Sequence, residues 1–350
     1  MKTNLLSTAI GSMPFDDADY AVNVSIDRLD APIWPQLSAY GLLEQMEIQY
    51  SENIPCAVID REKGRMYFKT DEDYSEAFGE FYEKYMAAEE DGNFDFMAIT
   101  EDYSKGLYAL LDKLRKENKK LPWLKVQTTG PCSFALTITD ENKRAIYYNE
   151  EFRDVIVKAI GMKCRWQIQK FKPFAENIIC FIDEPILSAF GSSTYVSVSR
   201  EDVVAILSEV IEAVRAEGGL SGIHCCGNTE WSILIDAGVD IVNFDAFEFG
   251  HTIAIYPEQV KKHLEAGKYL AWGVVPTSVK IREQTPESLE RKLEEGMDNL
   301  AAKGISKALI VSQAIITPSC GTGSLETEDA EKVFGLTKEL AKRMKEKYGV

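Results

Sequence analysis

The sequence predicts an α/β chain closed into a (β/α)8 TIM barrel, and three observations carry that expectation. Short apolar runs alternate with long amphipathic segments from one end to the other, eight such runs can be counted, and 350 residues at 45% hydrophobic content suffice for a barrel-sized core. An open doubly wound sheet is the alternative. The expected strands are 5–13, 32–37, 124–129, 177–183, 220–226, 240–245, 269–275 and 308–316.

Taken in order, the first run ends in Ile10-Gly11-Ser12 and the second in Trp-Pro-Gln. The stretch before the third is too long for one crossover. It holds a hairpin signal, CAVIDREKGRMYF, turning near Lys63-Gly64, and then a helix with Tyr74, Phe78, Phe81, Tyr82 and Tyr85 on one side. We read about 51–120 as an insertion in a single domain spanning 1–350. Its aromatic stripe reads as core packing, with a cap over the barrel mouth as the alternative. The third and fourth runs end in TTGP and IDEP. Ser199 with Asp202 then resembles a capping box, Leu207, Val210, Ile211 and Val214 share one face, and Gly218-Gly219 stop the helix. HCCGN, NFDAF and VVPTS close the next three runs. Thr285-Pro286 opens a helix striped with Leu289, Leu293, Met297 and Leu300, and TPSCG follows the last strand.

Charge narrows the function. With 39 basic and 56 acidic side chains the net charge is -17, which repels phosphate backbones and anionic membrane faces. No nucleic-acid or membrane partner is expected. No run approaches the ~18 apolar residues of a membrane span, and the amino-terminal stretch turns polar too early for a signal peptide. A cytoplasmic protein is expected. Seven cysteines is an odd number without disulfide-framework spacing, so Cys56, Cys132, Cys164 and Cys180 read as packed thiols.

In a (β/α)8 barrel the active site lies where the strands end. His224 and Cys226, two apart on an extended segment, point to the same side, while Cys225 points away. Cys320 sits in Pro-Ser-Cys-Gly beyond another strand, and Asp245 ends the sixth. Two thiolates and an imidazole suit zinc, which keeps one position for a substrate in catalytic sites. For His-x-Cys alone, a satisfied core histidine beside buried cysteines is the competing reading. The other two histidines, His251 and His263, are expected at the surface.

The ordered set Ile10-Gly11-Ser12, Thr129-Gly130-Pro131, Ile182-Asp183-Glu184-Pro185, His224-x-Cys226 and Pro318-Ser319-Cys320-Gly321 resembles the catalytic barrel of cobalamin-independent methionine synthases. His-x-Cys-Gly-Asn-Thr at 224–229 is also similar to zinc methyltransferases that carry methyl groups from corrinoid proteins to coenzyme M. The resemblance implies a zinc ion held by His224, Cys226 and Cys320, with Asp245 in the fourth ligand's place and Glu248 as its competitor. It implies that Ile10, Gly11 and Ser12 cradle a substrate carboxylate and that Asp183 meets an ammonium. The plainer readings are a tight turn at Gly11 and a strand-end turn with solvated acids at Asp183-Glu184-Pro185. The implied activity is methyl transfer to the thiol of homocysteine.

Departures from the pattern bear on the methyl donor. The folate-using enzymes carry a second, amino-terminal barrel, and a short form without it is expected here. They place a tryptophan after the Gly-Pro, where this chain reads GPCSFALT with Thr137 nearby, and a histidine beyond the seventh strand, where Val274 to Ser278 stand. A methylated corrinoid on a partner protein is therefore expected as donor ahead of methyltetrahydrofolate. Two other readings stay open. One is a metal-binding homologue without catalysis. The other is a uroporphyrinogen-decarboxylase-like lyase, which would want an arginine-rich mouth that these strand ends lack.

Overall fold

The computed structural model describes residues 3–350 apart from 193, 194 and 196. Among the described residues nine strands are defined: β1 (Leu6–Ser7), β2 (Ala57–Asp60), β3 (Arg65–Phe68), β4 (Leu121–Thr129), β5 (Ala175–Asp183), β6 (Leu220–Cys225), β7 (Ile241–Phe244), β8 (Tyr269–Val275) and β9 (Ala314–Pro318). Seven of them form one parallel sheet in the order β1-β9-β8-β7-β6-β5-β4, with helices between successive strands. The sheet curls, and its two edge strands are spanned by the segment 31–36.

That segment stands where the second barrel strand was expected, but it forms only isolated bridges. The Ala31 N–H donates to Ser7 O at 3.0 Å, Ile33 pairs with Lys125, and Gln36 pairs with Ser12. The reason is chemical: Pro32 and Pro35 have no N–H to give, so no continuous ladder can form. Two other strands are shorter than expected. Asn4 and Leu5 take left-handed φ values of 47° and 62°, so the first strand starts at Leu6, and it ends at Ser7. In the expected strand 308–316, Lys307–Ser312 is a short helix burying Ile310 and Val311, and the extended run begins at Ala314.

Alternate strand residues go to opposite faces of the sheet. Leu6, Ile179, Phe181, Ile241, Tyr269, Ala271 and Ile315 form one compact cluster inside the curl. Their neighbours Cys180, Val242, Leu270, Trp272 and Ile316 join the larger core beneath the helices. Both faces are buried, which is why the strands read as unbroken apolar runs.

The β2–β3 hairpin pairs Ala57 with Phe68 and Asp60 with Arg65, turning through Gly64 at φ +60° as expected. The helix Ser75–Asp91 that follows buries Phe78 and Phe81, and the rings of Tyr74 and Phe78 stand 4.9 and 4.8 Å from Phe152 on the helix Glu150–Phe171. The aromatic stripe is therefore packing. Lys163, on that same helix and fully buried, donates to Glu52 O at 2.6 Å and Met97 O at 3.4 Å, tying the 51–97 stretch to the barrel. The helix Lys105–Glu117 buries Leu107, Leu110, Leu111 and Leu114 and packs on Ala18–Arg28. Ser199 and Thr285 cap their helices as the sequence indicated.

One histidine departs from expectation. His263 is 3% exposed, in the last turn of Pro257–Glu265, where Val260, His263 and Leu264 form the buried stripe. Its Nε2 lies 3.1 Å from Tyr269 O, and burial pushes its pKa down to about 4. His251 is exposed, as expected. Cys132, Cys164 and Cys180 are buried free thiols, and Cys56 is half-buried. No described helix is long and apolar enough to cross a membrane.

Candidate metal centre

The inward column of β6 runs through Gly222 and His224 to Cys226 just past the strand end, so imidazole and thiol arrive on one side. Cys225 faces the helix layer, its Sγ directed at Gly227 O. Cys320 comes from the loop after β9, and that loop is stitched down on both flanks. Ser319 N donates to Val275 O at 2.8 Å, Thr277 N donates to Ser319 Oγ at 3.2 Å, and Thr322 N donates to Ser12 O at 2.8 Å. A Cβ on Gly321 would stand 2.0 Å from Ser12 Oγ, so only glycine lets the two loops meet. The result brings one ligand atom each of His224, Cys226 and Cys320 within 4.8 Å of one another.

The histidine tautomer follows from three hydrogen bonds. Asn243 sends its Nδ2 to Ala271 O at 3.0 Å and to Thr317 Oγ1 at 2.9 Å. A carbonyl only accepts, so the Asn243 amide nitrogen must face Ala271 and its Oδ1 must face the ring. Oδ1 lies 2.5 Å from His224 Nδ1, which therefore carries the proton and donates. Nε2 is left buried without a hydrogen-bond partner. A desolvated lone pair beside two sulfurs is costly unless something accepts it, and a borderline divalent cation does so. These residues fit zinc. Burial lowers the His224 pKa, but Cys226 and Asp183 outweigh it and the net shift is upward. The Cys320 thiol and then His224 hold Cys226 low, while the same sulfur contact pushes Cys320 up.

Asp183 pairs in register with Thr129 on one side and His224 on the other. It is 5% exposed, its Oδ1 has no partner, and burial raises its pKa against the pull of Lys125 and then His224. Glu184 is fully buried as well, accepting Cys132 N at 2.9 Å, Ser133 N at 2.7 Å and Ser133 Oγ at 2.6 Å. Burial raises it to about 7. The turn-with-solvated-acids reading is thereby overturned. Gly11 lies in a bend, and a Cβ there would lie 1.8 Å from Gln36 Oε1, so the close approach of that side chain also favours glycine.

Asp245 does not join the three clustered ligands. Its Oδ1 accepts Glu248 N at 2.9 Å, capping the turn Ala246–Phe249, and burial raises its pKa to about 6. Glu248 points elsewhere, its Oε1 2.6 Å from Lys280 Nζ.

A cavity of about 420 Å³ opens at His224, Cys226 and Cys320, with Ile10, Ser12 and Asp183 also in its wall. Gln36 and Glu44 are also in the wall, and the sequence assigned neither a role. Glu44 is 3% exposed, accepts Lys105 N at 2.7 Å and Leu37 N at 3.3 Å, and is raised by burial to about 7. Its only signal was one acid inside LLEQM, which reads equally as a solvated loop. Lys125 was more legible, since it stands in the inward column of β4. It is fully buried with Nζ 3.1 Å from Gln127 Oε1 and 4.7 Å from the Phe181 ring, and burial lowers it to about 8.

Neither a family profile nor a curated protein matches the sequence. Solved structures do match. A methyltransferase from Methanosarcina mazei superposes with a TM-score of 0.58 at 13% identity, over 99% of this chain and 94% of its own. A B12-independent methionine synthase from Shewanella sp. W3-18-1, solved in complex with selenomethionine, does so with a TM-score of 0.55 at 12% identity, over 99% of each chain. At such identities the likeness shows a shared fold.

Proposed function

We propose that the protein is a zinc-dependent, methionine-synthase-like methyltransferase that methylates the thiol of homocysteine. One observation carries the proposal: His224 Nε2, aimed by Asn243 and left without a partner, faces the sulfurs of Cys226 and Cys320 at the strand ends. His224, Cys226 and Cys320 are the ligands in this reading. Bound zinc would favour the thiolate of an incoming thiol, whose free form, with a pKa near ~8.5, is mostly protonated at neutral pH. Ser12 and the Gly11 and Ser12 backbone amides, which donate to no backbone carbonyl among the described residues, would receive the substrate carboxylate. Asp183, with Oδ1 unpartnered, would receive the ammonium. Together those groups describe an α-amino acid.

The donor in this reading is a methylated corrinoid carried by a partner protein, with methyltetrahydrofolate the alternative. The substrate sulfur supplies the electron pair of the new S–C bond, the carbon–cobalt pair stays on cobalt, and the thiol proton leaves to solvent. Orientation in the cavity lowers the entropic part of the barrier. Among the described residues neither lysine nor arginine lines that cavity, which disfavours a polycarboxylate lyase.

The test crosses methylcobalamin and methyltetrahydrofolate with homocysteine and other thiols, in zinc-loaded and chelator-treated protein. Methionine should form from methylcobalamin, cease on chelation and return with zinc. Turnover with methyltetrahydrofolate alone would transfer the reaction to the other donor. Tight zinc binding without turnover would favour the non-catalytic homologue.

A further inference from the structure

Lys125 is a buried cation inside the barrel with no part in the reading above. It shares the inward column of β4 with Gln127 and Thr129. Its ammonium offers three donors, yet among the described residues it meets one acceptor, Gln127 Oε1 at 3.1 Å, and the face of the Phe181 ring at 4.7 Å. Asp183 stands one inward position nearer the mouth than Phe181. Burial lowers the Lys125 pKa to about 8 and Asp183 pulls it back up, so the charge persists at neutral pH. A cation kept out of water is costly, and its surroundings show what it holds in place.

Gln127 is fully buried, and its Nε2 donates to Trp34 O at 2.9 Å. A carbonyl only accepts and an ammonium only donates, so the amide is fixed from both ends. That amide lies directly under the glycine of Ile10-Gly11-Ser12: a Cβ on Gly11 would stand 2.9 Å from Gln127 Nε2 and 1.8 Å from Gln36 Oε1. Gln36 is fixed in turn, its Nε2 donating to Gln49 Oε1 at 3.0 Å and to Tyr50 Oη at 3.3 Å, and Tyr50 Oη donates to Gln127 O at 2.9 Å. Two side-chain amides thus form a floor on which Gly11 rests. The backbone ties the same segment from the side, with Gln36 N donating to Gly11 O at 2.9 Å and Met13 N to Gln36 O at 3.0 Å.

We propose that Lys125 is a specificity-determining positioning residue: by fixing Gln127 beneath Gly11 it sets the place of the Ile10-Gly11-Ser12 cradle, and so favours thiols that carry an α-amino acid end over bare thiols. The inference rests on the amino-acid reading above and names the buried group that enforces it. Lys125 does not line the cavity, so it acts through Gln127 and not on the reacting sulfur.

The experiment uses full-length, zinc-loaded wild type, Lys125→Met and Gln127→Met. KM and kcat are measured with L-homocysteine and with 2-mercaptoethanol, using whichever methyl donor the wild type accepts, and zinc affinity is measured by chelator competition. Methionine matches both side chains in length and replaces a buried polar group by an apolar one, which cores tolerate. In Lys125→Met the KM for homocysteine should rise about tenfold or more with kcat within about threefold, the pattern of lost substrate binding. Zinc affinity and the kinetics with 2-mercaptoethanol should stay within about twofold of wild type. Gln127→Met should repeat the pattern, and it carries the test should Lys125→Met not fold. Equal losses with both thiols, an unchanged KM for homocysteine, or failure of both variants to fold overturns the Lys125 assignment alone. Absence of thiol methylation by the wild type with either donor sinks that assignment together with the reading beneath it.

Discussion

At the scale of single residues, Asn243 stands beside the three proposed ligands. It fixes the ring proton on Nδ1 through an amide whose orientation two acceptors dictate. Outer-shell partners of this kind typically contribute 10–100-fold to metal affinity, so Asn243→Ala should weaken zinc binding by about 10–100-fold in a chelator competition. An unchanged affinity would mean the ring is oriented by packing alone. His263 makes a different prediction. Its folded pKa of about 4 lies below the ordinary 6.5, so between those values the unfolded chain binds the extra proton and stability falls with pH. Thermal melts from pH 7 down to 4 should show this loss, up to about 3 kcal/mol, and His263→Gln should flatten that part of the profile. Whether a histidine is a ligand, a buried neutral ring or a surface group depends on the side of its element it occupies. For His224 the two-residue strand period gave the side of the strand correctly, the same side as Cys226. For His263 the helical stripe through Val260 and Leu264 held the same information and the polar neighbours obscured it.

Among the elements, the join between β4 and β5 is the most constrained. Glu184 accepts three hydrogen bonds from the first turn of Pro131–Thr137, and it can stand there only because residue 130 has no side chain: a Cβ would sit 2.0 Å from the carboxyl carbon. Glu184→Ala leaves buried donors unsatisfied and should cost about 3 kcal/mol. Gly130→Ala forces an overlap and should cost about 1–3 kcal/mol. The double variant should lose less than the two single losses together, because removing the carboxylate also removes the clash; strict additivity in urea titrations would refute the contact. The TTGP and IDEP motifs thus interlock. Their sequence spacing marked two strand ends, but nothing in either motif announced that one supplies the acid and the other the gap.

For the whole molecule, the barrel closes without a full eighth strand, and the stretch from 51 to 97 is held on its flank by Lys163 as well as by aromatic packing. Its ammonium is fully buried against the carbonyls of Glu52 and Met97, with burial lowering its pKa to about 7. Lys163→Met should raise amide exchange in that stretch about tenfold while β5 to β9 keep their protection, because the clamp is local and the sheet is not. Uniform loss of protection would show that the two parts open together. The fold class was legible because both faces of a parallel sheet are buried and its strands and helices differ in period. The inward placement of Asp183, His224 and Cys226 was legible because strand alternation is a property of the local backbone. Other features came only from tertiary structure: closure by a proline-interrupted segment, the arrival of Cys320 through a glycine-only contact with Ser12, and the diversion of Asp245 into a cap. Each depends on how far distant backbones approach and on which hydrogen-bond acceptor a donor reaches first. A linear chain does not encode those distances until the sheet has curled.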